Sequence, residues 1–120
     1  MYQQTSGIYK ITNNLNGKIY VGQSKNVWHR EIEHFTALRR GHHENKLMQR
    51  DWNKDNRGFR FDVIEFTDVD KLNEREKYWI DKLNTLEPNG YNQGWVPYKR
   101  KEVKKKRKVK GYRRTVKKIK

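Results

Sequence analysis

The stretch Ser6-Gly7-Ile8-Tyr9-Lys10-Ile11-Thr12-Asn13-Asn14-Leu15-Asn16-Gly17-Lys18-Ile19-Tyr20-Val21-Gly22 decides how this chain folds. Two β-prone runs flank Asn13 to Gly17, residues that tolerate positive φ, and Asn-Gly between such runs is a strong hairpin signal. Gly7-Ile8-Tyr9 and Tyr20-Val21-Gly22 are therefore expected on paired antiparallel strands. A loop of two residues (Asn16-Gly17) or of four (Asn14 to Gly17) puts Tyr9, Ile11 and Tyr20 on one face, because side chains alternate with period two. With the four-residue loop, Tyr20 stands opposite Ile11 and diagonal to Tyr9, within the roughly 7–8 Å reach of large side chains. Two phenols then point at a common place.

Working outward, Ser24 is a candidate cap for a helix whose Val27, Trp28, Ile32, Phe35 and Leu38 form a broad apolar stripe, ended by Gly41. Arg30 and His34 are four apart on this helix and share a face bordering the stripe. A polar loop, Gly41 to Asn45, leads to a second helix expected over Lys46 to Lys54, with Leu47, Met48 and Trp52 inward. The run Phe59 to Phe66 alternates as a third strand largely covered on both faces. A last helix is expected from about Asp70 to Asn84, with Leu72, Trp79, Ile80 and Leu83 on its apolar side. Glu76 breaks that side. A carboxylate facing a core is costly unless paired or bound to a metal, so either an ion pair, with Arg75 or a base on the first helix, or a metal is expected there. Pro88-Asn89-Gly90 reads as a turn leading into Tyr91-Asn92. Together these elements predict an α+β fold, a small three-stranded antiparallel sheet flanked by helices, over residues 1–97.

The remaining residues, 98–120, have a different composition. The formal charge of the chain is +15, and fourteen Lys or Arg against the single Glu102 place +13 of it in this segment. Such a run cannot bury enough apolar surface to order itself, so it is expected to be a disordered tail when free. Its natural partner is a polyanion, since neutralised phosphates release counterions; Lys104, Lys105, Lys106, Arg107, Lys108, Arg113 and Arg114 are the expected nucleic-acid contacts. Lys104 to Val109 also has the composition of a basic nuclear-localisation signal. Cysteine is absent, which excludes disulfides and thiolate metal sites. With a polar start and no long apolar run, neither a signal peptide nor a membrane span is expected. The expected location is intracellular: cytoplasmic or nucleoid-associated in a bacterium or phage host, nuclear in a eukaryote.

With the elements in place, the chain resembles the GIY-YIG nuclease family over roughly residues 5 to 95, and within it the catalytic modules of phage-type homing endonucleases. The resemblance is carried by Ser6-Gly7-Ile8-Tyr9, Ile19-Tyr20-Val21-Gly22, Arg30 with His34, Leu38 through Gly41 to His43, Leu47 to Lys54, Glu74-Arg75-Glu76 with Tyr78-Trp79-Ile80, and Gly90-Tyr91-Asn92. Val21 stands where the family more often has isoleucine, and Asn56-Arg57 where a glycine-containing turn is common.

The resemblance implies a metal-dependent DNA endonuclease hydrolysing phosphodiester bonds. Tyr9 and Tyr20 match the tyrosines facing the scissile phosphate, with Tyr9 preferred as general base and Tyr20 and His34 orienting water or relaying a proton. Arg30 matches the arginine on the phosphoryl oxygens, and Glu76 the single protein ligand of a divalent metal, Mg²⁺ with Mn²⁺ as substitute. Asn92 matches a supporting asparagine. His43 matches a further histidine, with His42 the alternative. The implied partner is DNA, without membrane or small-molecule organic cofactor; cutting both strands needs reorientation or a dimer on DNA. A structure-selective repair nuclease and a noncatalytic nucleic-acid-binding protein retaining the fold are the competing functions.

Overall fold

A computed structural model describes residues 4–99. The elements are β1 (Gly7–Asn13), β2 (Lys18–Ser24), α1 (Val27–Arg40), α2 (Lys46–Lys54), β3 (Phe59–Phe66), a short 3-10 turn (Val69–Lys71) and α3 (Leu72–Leu83). The strands form one antiparallel sheet in the order β2-β1-β3. This is the α+β architecture expected. The basic segment with Lys104 to Lys108, Arg113 and Arg114 lies outside the described residues.

The hairpin takes the four-residue loop. Asn13 pairs with Lys18 and Ile11 with Tyr20, and Gly17 adopts φ 79° at the loop's end. The backbone N–H groups of Asn16 and Gly17 both donate to Asn13 O. Tyr9 consequently faces Gly22 across the ladder. On the other side, the β1–β3 register shifts between Ile8 and Tyr9, and alternation along β3 presents Phe59, Phe61 and Val63 to one face of the sheet and Ile64 to the other.

Helices cover both faces. Tyr9 and Ile11 pack with Val27, Leu38, Met48 and Tyr91 under α1 and α2. Ile8 and Val21 pack with Leu72 and Ile80 under α3. Some local expectations need correction. The cap of α1 is Asn26, whose side chain accepts from the His29 N–H, while Ser24 instead accepts from the N–H of Asn26. The stripe of α1 is narrower than its sequence suggests, with Trp28 and Ile32 exposed and His34 buried. The domain is too small to cover the whole width of this helix. As an edge strand, β3 is mostly half-buried instead of largely covered. Gly41 does end α1, at φ 81° with its N–H on the carbonyls of Ala37 and Leu38.

The other edge of the sheet, β2, is closed by the segment after α3. The turn at Asn89 and Gly90 folds back on Leu86 O, bringing the Tyr91 N–H to Ile19 O at 2.9 Å. Asn92 then pairs through its side chain with the backbone of Val21, Nδ2 donating to the carbonyl at 3.0 Å and Oδ1 accepting from the N–H at 2.9 Å. Beneath the hairpin loop, the buried Tyr91 hydroxyl donates to Asp51 Oδ2 at 2.7 Å and accepts from Asn13 Nδ2 at 3.0 Å. This network ties loop, α2 and terminal segment together.

Candidate active site

At the covered edge of β2, side chains from the hairpin, α1, the α1–α2 loop and α3 meet in a cleft of about 610 Å³ whose walls include Tyr20, Arg30, His34, His43, Glu76 and Asn92. Tyr9 stands directly behind it. The two phenol rings are 6.4 Å apart, and each meets the His34 ring edge-on, at 5.3 Å for Tyr9 and 5.5 Å for Tyr20. The sequence-predicted residues are therefore brought together from elements far apart in the chain. Gly22 makes the arrangement sterically feasible: a Cβ there would collide with the Tyr9 hydroxyl and ring.

Three hydrogen bonds run in series through the interior. The Asn45 backbone N–H reaches His43 Nδ1 at 2.9 Å, His43 Nε2 lies 2.7 Å from His34 Nδ1, and His34 Nε2 lies 2.6 Å from the Tyr9 hydroxyl. A backbone N–H only donates, so His43 Nδ1 must be the acceptor and its Nε2 carries the proton. The same logic passes along the series. His34 accepts at Nδ1, and its Nε2–H donates to the Tyr9 oxygen. His43 is further held by its own N–H on Gln49 Oε1 at 2.8 Å. Between the two adjacent histidines, His43 is the one in this series and His42 is exposed.

The surroundings keep the series neutral. Burial, then the neighbouring His43 and Arg30, push the His34 pKa down to about 3. His43 is also lowered, chiefly by burial. Burial raises the Tyr9 phenol well above its ordinary value, Tyr20 adds to this, and Arg30 pulls it back. Tyr20 is likewise raised, first by burial and then by Glu76, with Arg30 opposing. Arg30 thus lies within the electrostatic reach of both phenols. Its guanidinium is half-exposed: it hydrogen-bonds to the Tyr9 phenol on its inner side and, through Nη1, pairs with Glu33 Oε1 at 3.2 Å, a surface pair weak enough to yield to a phosphate.

Glu76 is half-buried and is not paired with Arg75, whose guanidinium instead binds Glu65 at 2.9 Å. Oε1 of Glu76 accepts from Gln23 Nε2 at 2.9 Å and from Trp95 Nε1 at 3.1 Å. Burial raises its pKa, while these two donors and Arg30 work against the rise. No hydrogen bond reaches Oε2 among the described residues, so one oxygen remains available on the cleft wall. Nor do the described residues contain a group of three or more His, Cys, Asp or Glu that could hold a metal. This donor set suits a hard divalent cation that takes one carboxylate and completes its shell with water and phosphate oxygens.

Comparison with known proteins agrees with this geometry. The model of the GIY-YIG catalytic domain matches residues 5–92. The chain belongs to the GIY-YIG family. It is 42% identical over 89 residues to intron-associated endonuclease 1 of enterobacteria phage T4, an alignment covering 72% of this chain. The chain spans about a third, 36%, of that relative's length. Among solved structures it resembles the catalytic domain of homing endonuclease I-TevI with a TM-score of 0.69 and 39% identity, over 75% of this chain and 99% of that one. A glutamate-to-alanine mutant of the I-TevI catalytic domain gives a TM-score of 0.70 at 38% identity, over 78% and 98% of the respective chains.

Three side chains and one backbone amide of the site escape sequence reasoning. The side chains of Gln23 and Trp95, which hold Glu76, and the Asn45 N–H, which fixes His43, sit at a strand end or in loops where no periodicity marks them, and the Gln49 side chain, which accepts the His43 N–H, lies within α2. Gln49 is a partial exception, since a buried polar residue on an otherwise apolar helix face must find partners.

Proposed function

We propose that this chain is a phage-type DNA endonuclease that hydrolyses phosphodiester bonds in the β2-edge cleft with Mg²⁺, or Mn²⁺ in its place. The observation that carries this reading is the convergence of two phenols, a neutral histidine pair, a guanidinium and a singly available carboxylate oxygen on one cleft. Hydrolysis needs an activated water, charge stabilisation on the phosphoryl oxygens and help for the leaving oxygen.

Each of these falls to a residue placed for it. Arg30 exchanges its surface bond with Glu33 for the nonbridging oxygens. Tyr9 is the general base: its oxygen accepts the His34 N–H, so a phenolate formed there keeps a donor, and its own proton is directed away from His34. Burial opposes ionisation of this phenol, so the proton leaves only as positive charge gathers beside it: Arg30 lowers the Tyr9 pKa, and a cation held at Glu76 would lower it further. Tyr20, at the cleft wall, orients the water. Glu76 would hold the cation through Oε2; when bound, the ion supplies Lewis-acid stabilisation to the leaving oxygen. Asn92 touches none of the reacting groups. With Oδ1 accepting from the Val21 N–H and the Thr85 hydroxyl and Nδ2 donating to the Val21 carbonyl, it locks the β2 edge that carries Tyr20.

Binding and cutting are separable in this scheme. On an end-labelled DNA duplex, Glu76→Ala is expected to retain the gel shift of the wild type while losing cleavage. Cleavage by Glu76→Ala at the wild-type rate would remove the assignment.

A further inference from the structure

The segment that follows the family domain is strapped back onto the site. Beyond Asn92, where the family match ends, residues 93–96 line the cleft and the chain then runs along α3 towards its N-terminus. Tyr98 and Asn73 form a reciprocal pair, Asn73 Nδ2 donating to the Tyr98 carbonyl at 3.0 Å and Asn73 Oδ1 accepting the Tyr98 N–H at 2.9 Å. Between these anchors the Trp95 ring packs on the apolar cluster of Val21, Leu72 and Ile80. Its indole N–H is spent on Glu76 Oε1 at 3.1 Å. Gln23 joins the two halves of the contact, its amide donating to Asn73 Oδ1 at 2.8 Å and to Glu76 Oε1 at 2.9 Å. The same Glu76 oxygen is thus occupied twice, and the other takes no hydrogen bond among the described residues.

We propose that Trp95 is a positioning residue for the reaction: the strap of residues 93–98 presses its indole against Glu76 and, with Gln23, fixes the carboxylate so that Oε2 alone is offered to the cation. This rests on the assignment of Glu76 as the metal-side carboxylate. Free rotation of a carboxylate would let either oxygen, or both, turn towards the ion. Two donors on one oxygen remove that freedom before the ion arrives, which is the part outer partners play around metal ligands. The strap also makes the catalytic unit longer than the family match, because a residue outside it holds one of the site's main groups.

The test uses the full chain. Trp95→Phe keeps an aromatic ring on the apolar cluster while removing the N–H and the volume of one fused ring. Its expected phenotype is a split: the Mg²⁺ concentration giving half-maximal nicking of supercoiled plasmid rises about tenfold, while the rate at saturating Mg²⁺ stays within about twofold of wild type. A change in packing alone would not divide in this way. Independently of activity, the Trp95 indole ¹H–¹⁵N cross-peak, assigned by its loss in Trp95→Phe, is expected to move in metal-free Glu76→Ala as its acceptor disappears. An unmoved cross-peak, or a Trp95→Phe variant with the Mg²⁺ requirement of the wild type, overturns the proposal. If instead Glu76→Ala still cuts, it is the assignment of Glu76 that has failed, and the cross-peak then reports only on the contact.

Discussion

Gly22 lies across from Tyr9 in the β1–β2 ladder, and the tyrosine ring folds over it. Gly22→Ala should therefore act on function and stability at once. Overpacking of this kind costs about 1–3 kcal/mol, and a displaced Tyr9 should lose about a hundredfold in cutting rate. Thermal melting and plasmid nicking on the same preparation check both, and unchanged nicking would mean that Tyr9 need not occupy its observed place. The histidine series makes a sharper statement. ¹⁵N NMR of the imidazoles is expected to find both His34 and His43 as neutral Nε2–H tautomers at pH 7; an Nδ1–H signal for either would reverse the hydrogen bond to Tyr9. The family resemblance favours His43 over His42, but the residues themselves do not decide between them. Neighbouring histidines in a loop carry no periodicity, and only the fixed Asn45 N–H selects between them.

At the scale of elements, the hairpin was legible because its determinants are local. The Asn-Gly loop and the alternation of Tyr9, Ile11 and Tyr20 narrow the register to even loops, and the fold takes the four-residue one. The second helix begins and ends where its sequence indicates, at Lys46 and Lys54. The first is capped two residues late, at Asn26, because Ser24 and Asn26 are both competent caps and tertiary placement chooses. The strap along α3 was not legible at all. An isolated Trp95 after a turn shows no pattern until the chain's return path is known.

The burial of α1 against the hairpin carries its own pH signature. His34 has its folded pKa pushed to about 3 and His43 is lowered too, against an unfolded value near 6.5. Below pH 6.5 the unfolded chain therefore binds protons that the folded chain refuses, and stability falls as pH drops from there towards 3. Urea midpoints of the wild type at pH 7.5 and pH 5 should differ more than those of a His34→Gln variant. Equal differences would show that His34 charges in the folded state.

Over the whole molecule, charge and chemistry occupy different stretches of chain. In the proposed scheme the body binds and orients a phosphate at one cleft, whereas thirteen Lys and Arg follow Lys99. Phosphate contacts supply affinity and salt dependence but little sequence discrimination. Ending the chain after Lys99 keeps the Asn73–Tyr98 pair and should weaken DNA binding while flattening its dependence on salt; an unchanged slope of log affinity against log salt would remove the basic segment from the interface. The described residues contain no helix long and apolar enough to cross a membrane.

The central claim is that one cleft, built from Tyr9, Arg30, His34 and Glu76, performs metal-dependent phosphodiester hydrolysis. It is tested most directly by incubating supercoiled plasmid at low salt with the wild type, Tyr9→Phe and Glu76→Ala, each with Mg²⁺ and with EDTA. The account predicts nicked or linear product from the wild type with Mg²⁺ alone, and intact plasmid in every other lane. Plasmid left intact by the wild type with Mg²⁺, or cut equally by all three proteins, would contradict it.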